Sequence, residues 1–275
     1  MIPAAFDYVR AGSLDEAISL LGSREDSKLL AGGHSLLPLM KLRLARPSVL
    51  VDIGRLSDLS YIREDGDAVA IGALTRHHDV ANSDALHELC PIAAYTASEI
   101  GDPQVRHVGT IGGSVAHADP ASDMPAVLVA LDASIVVQGP GGSRTVAARG
   151  FFKGLFTADL AEDEVLTEIR VPKTTGRKWS YIKFHRRAQD WALVGVAAVS
   201  GNGAGGASVA LTNMGETPIR ASAVESALAG GADPASAAAS AAEGTSPPSD
   251  SFGSAEYRRE LVKVLTRRAL QEVMG

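Results

Sequence analysis

Residues 100–126 read IGDPQVRHVGTIGGSVAHADPASDMPA, with the glycine pair Gly112-Gly113 at the centre of this segment. A second glycine pair lies in residues 31–35, AGGHS, between a predicted strand and a predicted helix. Glycine permits a positive φ and lets the backbone approach a ligand closely. Consecutive free backbone N–H groups then form a cradle for an anion, and a helix N-terminus adds positive charge. Together the two segments predict a site that holds one pyrophosphate from both sides, although either segment alone is equally typical of a tight turn.

Neither glycine segment matches a nucleotide-binding motif with a known mechanism. Neither is G-x-G-x-x-G, which marks a Rossmann dinucleotide site, and the chain holds no G-x-x-x-x-G-K-S/T P-loop. Ser35, Ser114 and Ser122 lie outside any G-x-S-x-G nucleophile elbow. These absences argue against a Rossmann NAD enzyme, a P-loop NTPase and an α/β-hydrolase.

Composition excludes several further classes of protein. The chain has 275 residues, enough for one or two domains. Its single cysteine, Cys90, cannot form an internal disulfide or ligate an iron–sulfur cluster alone. A net charge of −6 and 5% aromatic residues argue against nucleic-acid binding. The chain shows no targeting segment and no apolar run of the roughly 18–20 residues that span a bilayer, so we expect a soluble, cytoplasmic protein.

In the first half of the chain strands alternate with helices, which is typical of an α/β domain. Ser13 and Glu16 form a capping box, and Gly22 is the predicted stop of the helix that they begin. Residues 109–123 are glycine-rich and follow a predicted helix. The predicted strands are 28–31, 49–53, 68–71, 133–137 and 165–171, and the predicted helices are 13–21, 36–44, 91–100 and 123–131.

The pattern changes near residues 173–177, where we place a boundary. Predicted strands at 179–184, 193–199 and 208–212, with a glycine turn at 201–206, indicate a small antiparallel sheet. Alanine-rich residues 221–242 predict helices interrupted at Gly230-Gly231 and Pro234. The last predicted helix is 254–273, with one face expected to be buried and four basic residues expected elsewhere. The buried face comprises Leu261, Val264, Leu265, Ala269 and Val273, and the basic residues are Arg258, Arg259, Lys263 and Arg267.

The run His77-His78-Asp79 resembles a metal site at first sight. Adjacent helical residues point about 100° apart, unlike the i, i+4 histidines of a zinc protease, and no further cluster completes a ligand set. We therefore expect no metal ion here.

Five segments are similar to one known family. They read AGGHSLLPLMKLRLARPSVLVDI (31–53), IGALT (71–75), residues 100–126 as quoted above, EVLTEIRVP (164–172) and YIKFHRRAQDWALVGVAA (181–198). They resemble the FAD-binding medium subunits of molybdenum hydroxylases, above all those of aerobic carbon monoxide dehydrogenases, over nearly the whole chain. The resemblance implies an α+β chain with a vanillyl-alcohol-oxidase-like (PCMH-type) FAD fold. It implies an FAD-binding domain at 1–175, built from two α/β subdomains that divide near 55–60, and a C-terminal domain of antiparallel sheet and helix at 176–275.

The same resemblance implies the cofactor contacts. The two glycine segments would lie on either side of the FAD pyrophosphate, Asp123 would accept hydrogen bonds from the flavin nucleotide, and Ile100 would pack near the isoalloxazine ring. His117, Leu166 and Lys183 match further contact positions, and Trp191 matches an aromatic residue near the flavin. The implied set is Ala31, Gly32, Gly33, His34, Ser35, Leu36, Ile100, Thr110, Gly112, Gly113, Ser114, His117, Asp123, Leu166, Lys183 and Trp191.

Most of these side chains also have an ordinary structural interpretation. Ile100 and Leu166 are typical core residues, and a lysine such as Lys183 is more often solvated at a strand edge. Asp123 suits the N-cap of the helix that follows, and Trp191 suits a core or an interface.

The resemblance also implies partners, because one cysteine cannot hold the family's clusters. A large subunit would carry the molybdenum cofactor and a small subunit the 2Fe-2S clusters, in a dimer of heterotrimers. Electrons would reach non-covalent FAD on this chain and leave to an acceptor such as a membrane quinone, with the complex touching the inner face of the membrane only through partners. Carbon monoxide is the favoured substrate, and nicotine, purines and aromatic acids, which similarly built complexes oxidise, remain alternatives. The alternatives are a self-contained FAD oxidoreductase of the same fold and a redox-inactive nucleotide-binding scaffold.

Overall fold

The N-terminal segment folds as a small parallel sheet, because a helix follows each of its first two strands and returns the chain to the same end. The computed structural model describes residues 2–201 and 206–275. The third strand in sequence is central and pairs in parallel with both others. The elements are β1 Asp7–Arg10, α1 Leu14–Ser23, β2 Ser27–Leu30, α2 Leu36–Lys41 and β3 Val49–Asp52.

The capping box at the start of α1 is confirmed. Ser13 Oγ accepts a hydrogen bond from Glu16 N at 3.1 Å, and Glu16 Oε2 accepts one from Gly12 N at 2.7 Å. The predicted stop at Gly22 is wrong, since the helix continues to Ser23 and ends where Arg24 turns extended. Gly22 does not adopt the positive φ of the left-handed conformation in which glycine commonly ends a helix.

The second sheet has five strands and is antiparallel throughout. The expectation of alternating α/β architecture is wrong here, because tight turns at 66–67 and 140–141 join neighbouring strands directly and can only reverse the chain. The strands are β4 Ile62–Asp65, β5 Ala68–Gly72, β6 Ser134–Gly139, β7 Gly142–Ala147 and β10 Val165–Pro172, and the short strands β8 Phe152–Gly154 and β9 Thr157–Ala158 pair separately.

Seven helices accompany this sheet in the described part of the chain. The expected helices at 91–100 and 123–131 are confirmed, whereas the five other helices, all short, were not predicted. The helices are α3 His77–Ala81, α4 Asp84–Leu89, α5 Pro91–Ser98, α6 Pro103–Val108, α7 Ile111–His117, α8 Asp123–Ala130 and α9 Ala148–Phe151.

The C-terminal part forms the expected small antiparallel sheet, with four strands in chain order. The residues 202–205 of the predicted glycine turn lie outside the described residues. The alanine-rich stretch is helical, as expected. The elements are β11 Trp179–Phe184, β12 Val194–Ser200, β13 Ala207–Thr212, β14 Ile219–Arg220, α10 Ser222–Ala229, α11 Pro234–Ala238 and α12 Ala255–Met274.

Helix α12 covers one face of this sheet, but two of its side chains differ from the expectation. Val264 is 37% exposed, whereas Arg258, expected outside the buried face, is 1% exposed. The Arg258 guanidinium donates to Leu193 O and to Asp250 Oδ2, and these two acceptors offset part of the cost of its burial.

The other face of the four-stranded sheet packs against α8. Tyr181 of β11 and Ala197 of β12 belong to the same buried cluster as Met124 and Leu128 of α8. This packing brings the C-terminal sheet against the beginning of α8, next to the second glycine segment.

Candidate functional site

The first glycine segment connects β2 to α2 and presents a row of free amides. Gly33 has φ +74°, which lets the chain turn sharply. In the described parts of the chain, no protein acceptor is hydrogen-bonded to the backbone N–H groups of Gly32, Gly33, His34 or Ser35. His34 and Ser35 are exposed, while Ala31 and Leu36 are half-buried. Four consecutive unpaired donors at an accessible turn fit a negatively charged group of a ligand.

The two glycine segments touch, and the contact requires glycine. A Cβ at Gly32 would press on Val108 O and lie 2.9 Å from Gly109 Cα. On the other side, a Cβ at Gly113 would lie 3.9 Å from Ala31 Cβ. Segments that are about 80 positions apart in the chain therefore form one continuous surface.

Positive charge surrounds this contact. Arg76 donates through Nη1 to Val108 O, the same carbonyl that faces Gly32, and Arg106 donates to Ile100 O at 2.9 Å. Burial lowers the pKa of His77 to about 4, and the charges of Arg106, Arg76 and His34 act in the same direction. The positive field that disfavours a proton on His77 favours an anion at the first glycine segment.

The second glycine segment is the first turn of a helix, contrary to the expectation of a second open cradle. Thr110 is the N-cap of α7, and its Oγ1 accepts from Gly113 N at 3.1 Å. Ile111 N donates to Thr75 O and Gly112 N to Ala73 O. Because these amides are already paired, free amides come from the first segment alone.

The two glycines of the second segment have different surroundings. Gly112 is buried, and a Cβ there would lie 2.5 Å from Ala73 Cβ. Gly113 is exposed and Ser114 half-buried, on the side that faces Ala31. Gly112 is thus a packing residue, whereas Gly113 and Ser114 lie on the accessible surface.

Asp123 lies in a buried network with two side chains of β11. Its Oδ1 accepts from the Tyr181 hydroxyl at 2.6 Å, and its Oδ2 accepts from Lys183 Nζ at 2.9 Å. Lys183 Nζ also donates to Glu99 O at 2.9 Å, and its side chain is only 3% exposed. The alternative interpretation of Lys183 as a solvated residue at a strand edge is therefore wrong. The alternative of Asp123 as an N-cap is wrong as well, since Ser122 holds that position.

The ionisation of this network follows from its burial. Burial raises the pKa of Asp123, while the Lys183 charge and the hydrogen bonds from Tyr181 and Lys183 oppose that shift. Burial and the neighbouring Asp123 carboxylate raise the pKa of Tyr181 well above its usual value, so its hydroxyl remains a donor. A carboxylate has about four acceptor sites, so Asp123 retains capacity for a ligand hydroxyl.

Sequence reasoning missed Tyr181, although a signal for it was present. In a strand, residues two apart share a face, so Tyr181 and Lys183 point to the same side of β11. A tyrosine at that spacing from a functional lysine is a candidate partner for the same carboxylate. Arg76 and Arg106 were also missed, because neither belongs to a glycine motif.

The apolar residues of the expected site lie close to the glycine segments in the fold. Leu166 is buried at a β-bulge of β10, and the next residue, Thr167, accepts from Ala73 N through its carbonyl. Ile100 is half-buried and packs on the core cluster that contains Leu166. The core interpretation therefore holds for both side chains, and it does not exclude a ligand contact.

His117 and Trp191 differ in their surroundings. The His117 ring lies 5.1 Å from the Phe156 ring, and burial lowers its pKa, an effect that Asp119 opposes. Trp191 is 71% exposed, so it is not a core residue. The loop that contains Trp191 lies near the second glycine segment, because Asn213 bonds to both parts of the chain. Asn213 Nδ2 donates to Ala192 O, and Asn213 N donates to Pro120 O.

The side chains of His77, His78 and Asp79 do not point towards one common site. His77 is buried, whereas His78 is half-buried and stacks on His107 with 4.1 Å between ring centroids. Among residues 2–201 and 206–275, no group of three or more histidine, cysteine, aspartate or glutamate side chains is arranged to hold a metal ion. In the same ranges no helix is long and apolar enough to cross a bilayer.

Comparison with known protein families identifies the family to which this chain belongs. Residues 4–174 match the FAD binding domain in molybdopterin dehydrogenase, and residues 179–273 match the CO dehydrogenase flavoprotein C-terminal domain. The chain belongs to this flavoprotein family. It is an FAD-binding medium subunit of the type found in CO dehydrogenase-like molybdenum hydroxylases, and the expected mixed fold with a small C-terminal antiparallel sheet is confirmed.

Relatives of this medium subunit match along their whole length. The chain is 44% identical to the glyceraldehyde dehydrogenase medium chain of Sulfolobus acidocaldarius, covering 99% of this chain and 100% of the relative. It is also 44% identical to the carbon monoxide dehydrogenase medium chain of Hydrogenophaga pseudoflava, covering 98% and 97%. A solved carbon monoxide dehydrogenase from the latter organism, which lacks the Mo-pyranopterin moiety of its cofactor, superposes with a TM-score of 0.95 over 100% of this chain and 99% of that one.

The match confirms that the chain is an oxidoreductase subunit with FAD as its cofactor. Features of the structure itself, independent of the comparisons, also fit FAD. The unpaired amides of residues 32–35, the close approach at Gly32 and the nearby arginines suit a pyrophosphate, and the Asp123 carboxylate suits hydroxyl groups.

Proposed function

We propose that this chain is the FAD-carrying electron-transfer subunit of a molybdenum hydroxylase complex, receiving electrons from iron–sulfur clusters on a partner chain. The observation that carries the proposal is the row of free amides at residues 32–35 within a chain that matches medium subunits from end to end. Donors that no protein acceptor occupies at an accessible turn are available to the pyrophosphate of a bound cofactor.

We propose that all the residues implied by the family resemblance contact FAD, with roles that follow from their positions in the fold. The amides of the first segment bind the pyrophosphate, and Gly113 with its neighbours forms the opposite wall. Leu166 and Ile100 supply an apolar surface, His117 a neutral imidazole and Trp191 an exposed ring that is free to cover the cofactor. The set is Ala31, Gly32, Gly33, His34, Ser35, Leu36, Ile100, Thr110, Gly112, Gly113, Ser114, His117, Asp123, Leu166, Lys183 and Trp191.

When bound, FAD supplies both one-electron and two-electron transfer. The chain supplies orientation and a fixed field. Asp123 accepts hydroxyl hydrogen bonds while Tyr181 and Lys183 hold it in place. The Lys183 ammonium lies almost fully buried beside Asp123, and a positive charge in such a dry environment favours negative charge nearby. The apolar side chains exclude water, so this charge acts at low dielectric.

The partners follow from what this chain lacks. Its single cysteine is buried, and burial raises the pKa of the Cys90 thiol to about 11, which opposes the thiolate form that ligates iron. We therefore place the 2Fe-2S clusters on a small subunit and the molybdenum cofactor on a large subunit, in a dimer of heterotrimers. The proposed route ends at a quinone or similar acceptor, in a cytoplasmic complex that meets the membrane only through its partners.

The substrate is proposed to be chosen by the large subunit. Two relatives with the same 44% identity carry the names of enzymes for different substrates, carbon monoxide and glyceraldehyde. Similarity of the flavin chain therefore does not select between them.

We also propose the domain bounds that the family resemblance implies. The FAD-binding domain ends at residue 175, and its two subdomains divide near residues 55–60.

Purification of the native complex tests the cofactor and the partners together. We expect a yellow preparation that releases FAD on heating and contains a cysteine-rich small chain and a large molybdenum chain. A folded chain that takes up no FAD on titration would contradict the cofactor proposal. A fully active single chain would instead support a self-contained oxidoreductase, and bound flavin that dithionite cannot reduce would support a redox-inactive scaffold.

A further inference from the structure

Strand β11 leaves one edge of the C-terminal sheet unpaired. It pairs only with β12, and its register places Lys178 opposite Ser200, whose N–H donates to Lys178 O. Hydrogen-bonded and non-hydrogen-bonded pairs alternate along an antiparallel ladder. The backbone N–H and C=O groups of Trp179, Tyr181 and Lys183 therefore point away from β12. In residues 2–201 and 206–275 no backbone or side-chain group pairs with them.

This edge forms the floor of a groove, which we call the β11 groove. One wall is formed by Tyr95 of α5 and by Glu99, which directly follows that helix, and the other is the last turn of α12, with Glu272. The floor is Trp179 to Lys183, and the groove encloses about 380 Å³. An unpaired strand edge that faces an open groove is a template for pairing with another strand.

The groove carries unpaired negative charge beside two aromatic rings. In the described residues neither Glu99 nor Glu272 makes an ion pair, and Lys183 is already committed to Asp123. Burial raises the pKa of Tyr95, and the charges of Glu99 and Glu272 add to that shift, so both carboxylates act on this wall. The Tyr95 ring packs on the Trp179 ring with 5.4 Å between centroids. Carboxylates next to aromatic faces favour a lysine or arginine side chain.

We propose that the β11 groove binds an extended segment of a partner subunit, which adds a strand beside β11 and places a lysine or arginine between Glu99 and Glu272. Main-chain hydrogen bonds to Trp179, Tyr181 and Lys183 provide affinity, and the two carboxylates select a basic side chain. The inference rests on the proposed function, because the occupant belongs to a chain of the same complex.

Charge argues against a second copy of this chain as the occupant. Antiparallel pairing of two β11 strands around a two-fold axis would place the same surface on both sides of the contact. The carboxylates of both copies would then share one groove with no added cation. A basic segment removes this repulsion, whereas a second copy doubles it.

Hydrogen–deuterium exchange on the intact complex and on the FAD-loaded chain alone tests the added strand. We expect the amides of residues 179–183 to exchange at least about tenfold more slowly in the complex, equal to about 1.4 kcal/mol of protection. The matched control is β7, which is also an edge strand, and which we expect to change by less than about twofold on the same scale. Equal exchange of residues 179–183 in both samples would overturn the inference.

A charge reversal tests the selection of a basic segment. Glu272→Lys is expected to weaken association of this chain with its partners by about tenfold or more, because like charges then meet in the groove. Glu256→Lys lies on the exposed first turn of the same helix and is the control. Equal affinities of the two variants would refute the role of the carboxylates.

A photo-crosslinking amino acid at Tyr95 identifies the occupant. We expect a crosslink to a partner segment that contains lysine or arginine, and a crosslink to a second copy of this chain would contradict the proposal. Failure here is distinct from failure of the proposed function. A complex that contains FAD and all partners but leaves the groove unprotected refutes only the added strand, whereas a chain without FAD or partners refutes the function.

Discussion

Lys183 Nζ lies 2.9 Å from Asp123 Oδ2, and the two residues are 60 positions apart in the chain. Their side chains are 3% and 6% exposed. The pair joins the edge strand of the C-terminal sheet to the helix that follows the second glycine segment. A buried ion pair of this kind is costly to disrupt on one side, because the remaining charge stays in a dry environment.

We expect Lys183→Met to lower the free energy of unfolding by about 3–5 kcal/mol, since it leaves the Asp123 carboxylate buried without a cation. The double variant Asp123→Asn/Lys183→Met is expected to recover much of that loss, because no charge is left unpaired. Urea unfolding of both variants measures the difference. If the double variant were as unstable as the single one, the charge argument would fail.

Tyr181→Phe is expected to cost about 1.5–3 kcal/mol, because it removes a hydrogen bond to a charged group. The control is Tyr257→Phe, which removes the hydroxyl of a tyrosine that is 47% exposed. Thermal unfolding of the two variants gives the comparison. A Tyr181→Phe protein as stable as the control would show that Tyr181 does not support Asp123.

Gly112→Ala is expected to lower mainly the stability of the fold, whereas Gly113→Ala is expected to lower mainly the affinity for FAD. A Cβ at Gly112 would meet Ala73 Cβ at 2.5 Å, so overpacking should destabilise the fold by about 1–3 kcal/mol. A Cβ at Gly113 would press on the Thr110 side chain and touch Ala31 Cβ at 3.9 Å on an exposed surface, so the loss should stay near the ~1 kcal/mol of a weakened cap while FAD affinity falls. Unfolding curves and FAD titration separate the two effects, and identical behaviour would contradict the assignment.

Gly32→Ala is expected to lower FAD affinity by at least about tenfold, which is about 1.4 kcal/mol. The added Cβ would press on the Val108 carbonyl and force the two glycine segments apart. Gly150→Ala is the matched control, since nothing lies within 4 Å of a Cβ there. Fluorescence titration with FAD gives both affinities. Unchanged binding by Gly32→Ala would remove the first segment from the proposed site.

The stability of the protein is expected to fall as the pH drops below 6.5. Burial lowers the pKa of His77 from 6.5 to about 4, so the folded state favours the neutral imidazole. Its contribution is complete above pH 6.5 and is lost as the pH falls toward 4. Between pH 7 and 4.5, His77→Gln should lose roughly 2 kcal/mol less stability than the unchanged protein in urea unfolding. The exposed His107→Gln serves as control, and equal pH profiles of His77→Gln and the unchanged protein would contradict the prediction.

Local patterns predicted local structure well in this chain. The capping box at Ser13, the strand that begins at Trp179 and the interrupted alanine-rich helices follow from propensities that neighbouring residues determine. Predictions that depend on distant partners failed more often. Residues 111–117 are glycine-containing yet helical, because Thr75 and Ala73 accept the amides of the first turn.

The sequence by itself determined the family, the cofactor class and the two glycine segments, because these depend on residue types in a linear order. Only the tertiary structure decided which groups are free and which are paired. It left the amides of residues 32–35 open, paired those of residues 111–113, buried Lys183 against Asp123 and turned Arg258 inward. The physical reason is that burial and hydrogen-bond pairing depend on atoms brought together from distant positions, and a periodic pattern in one segment holds no record of them.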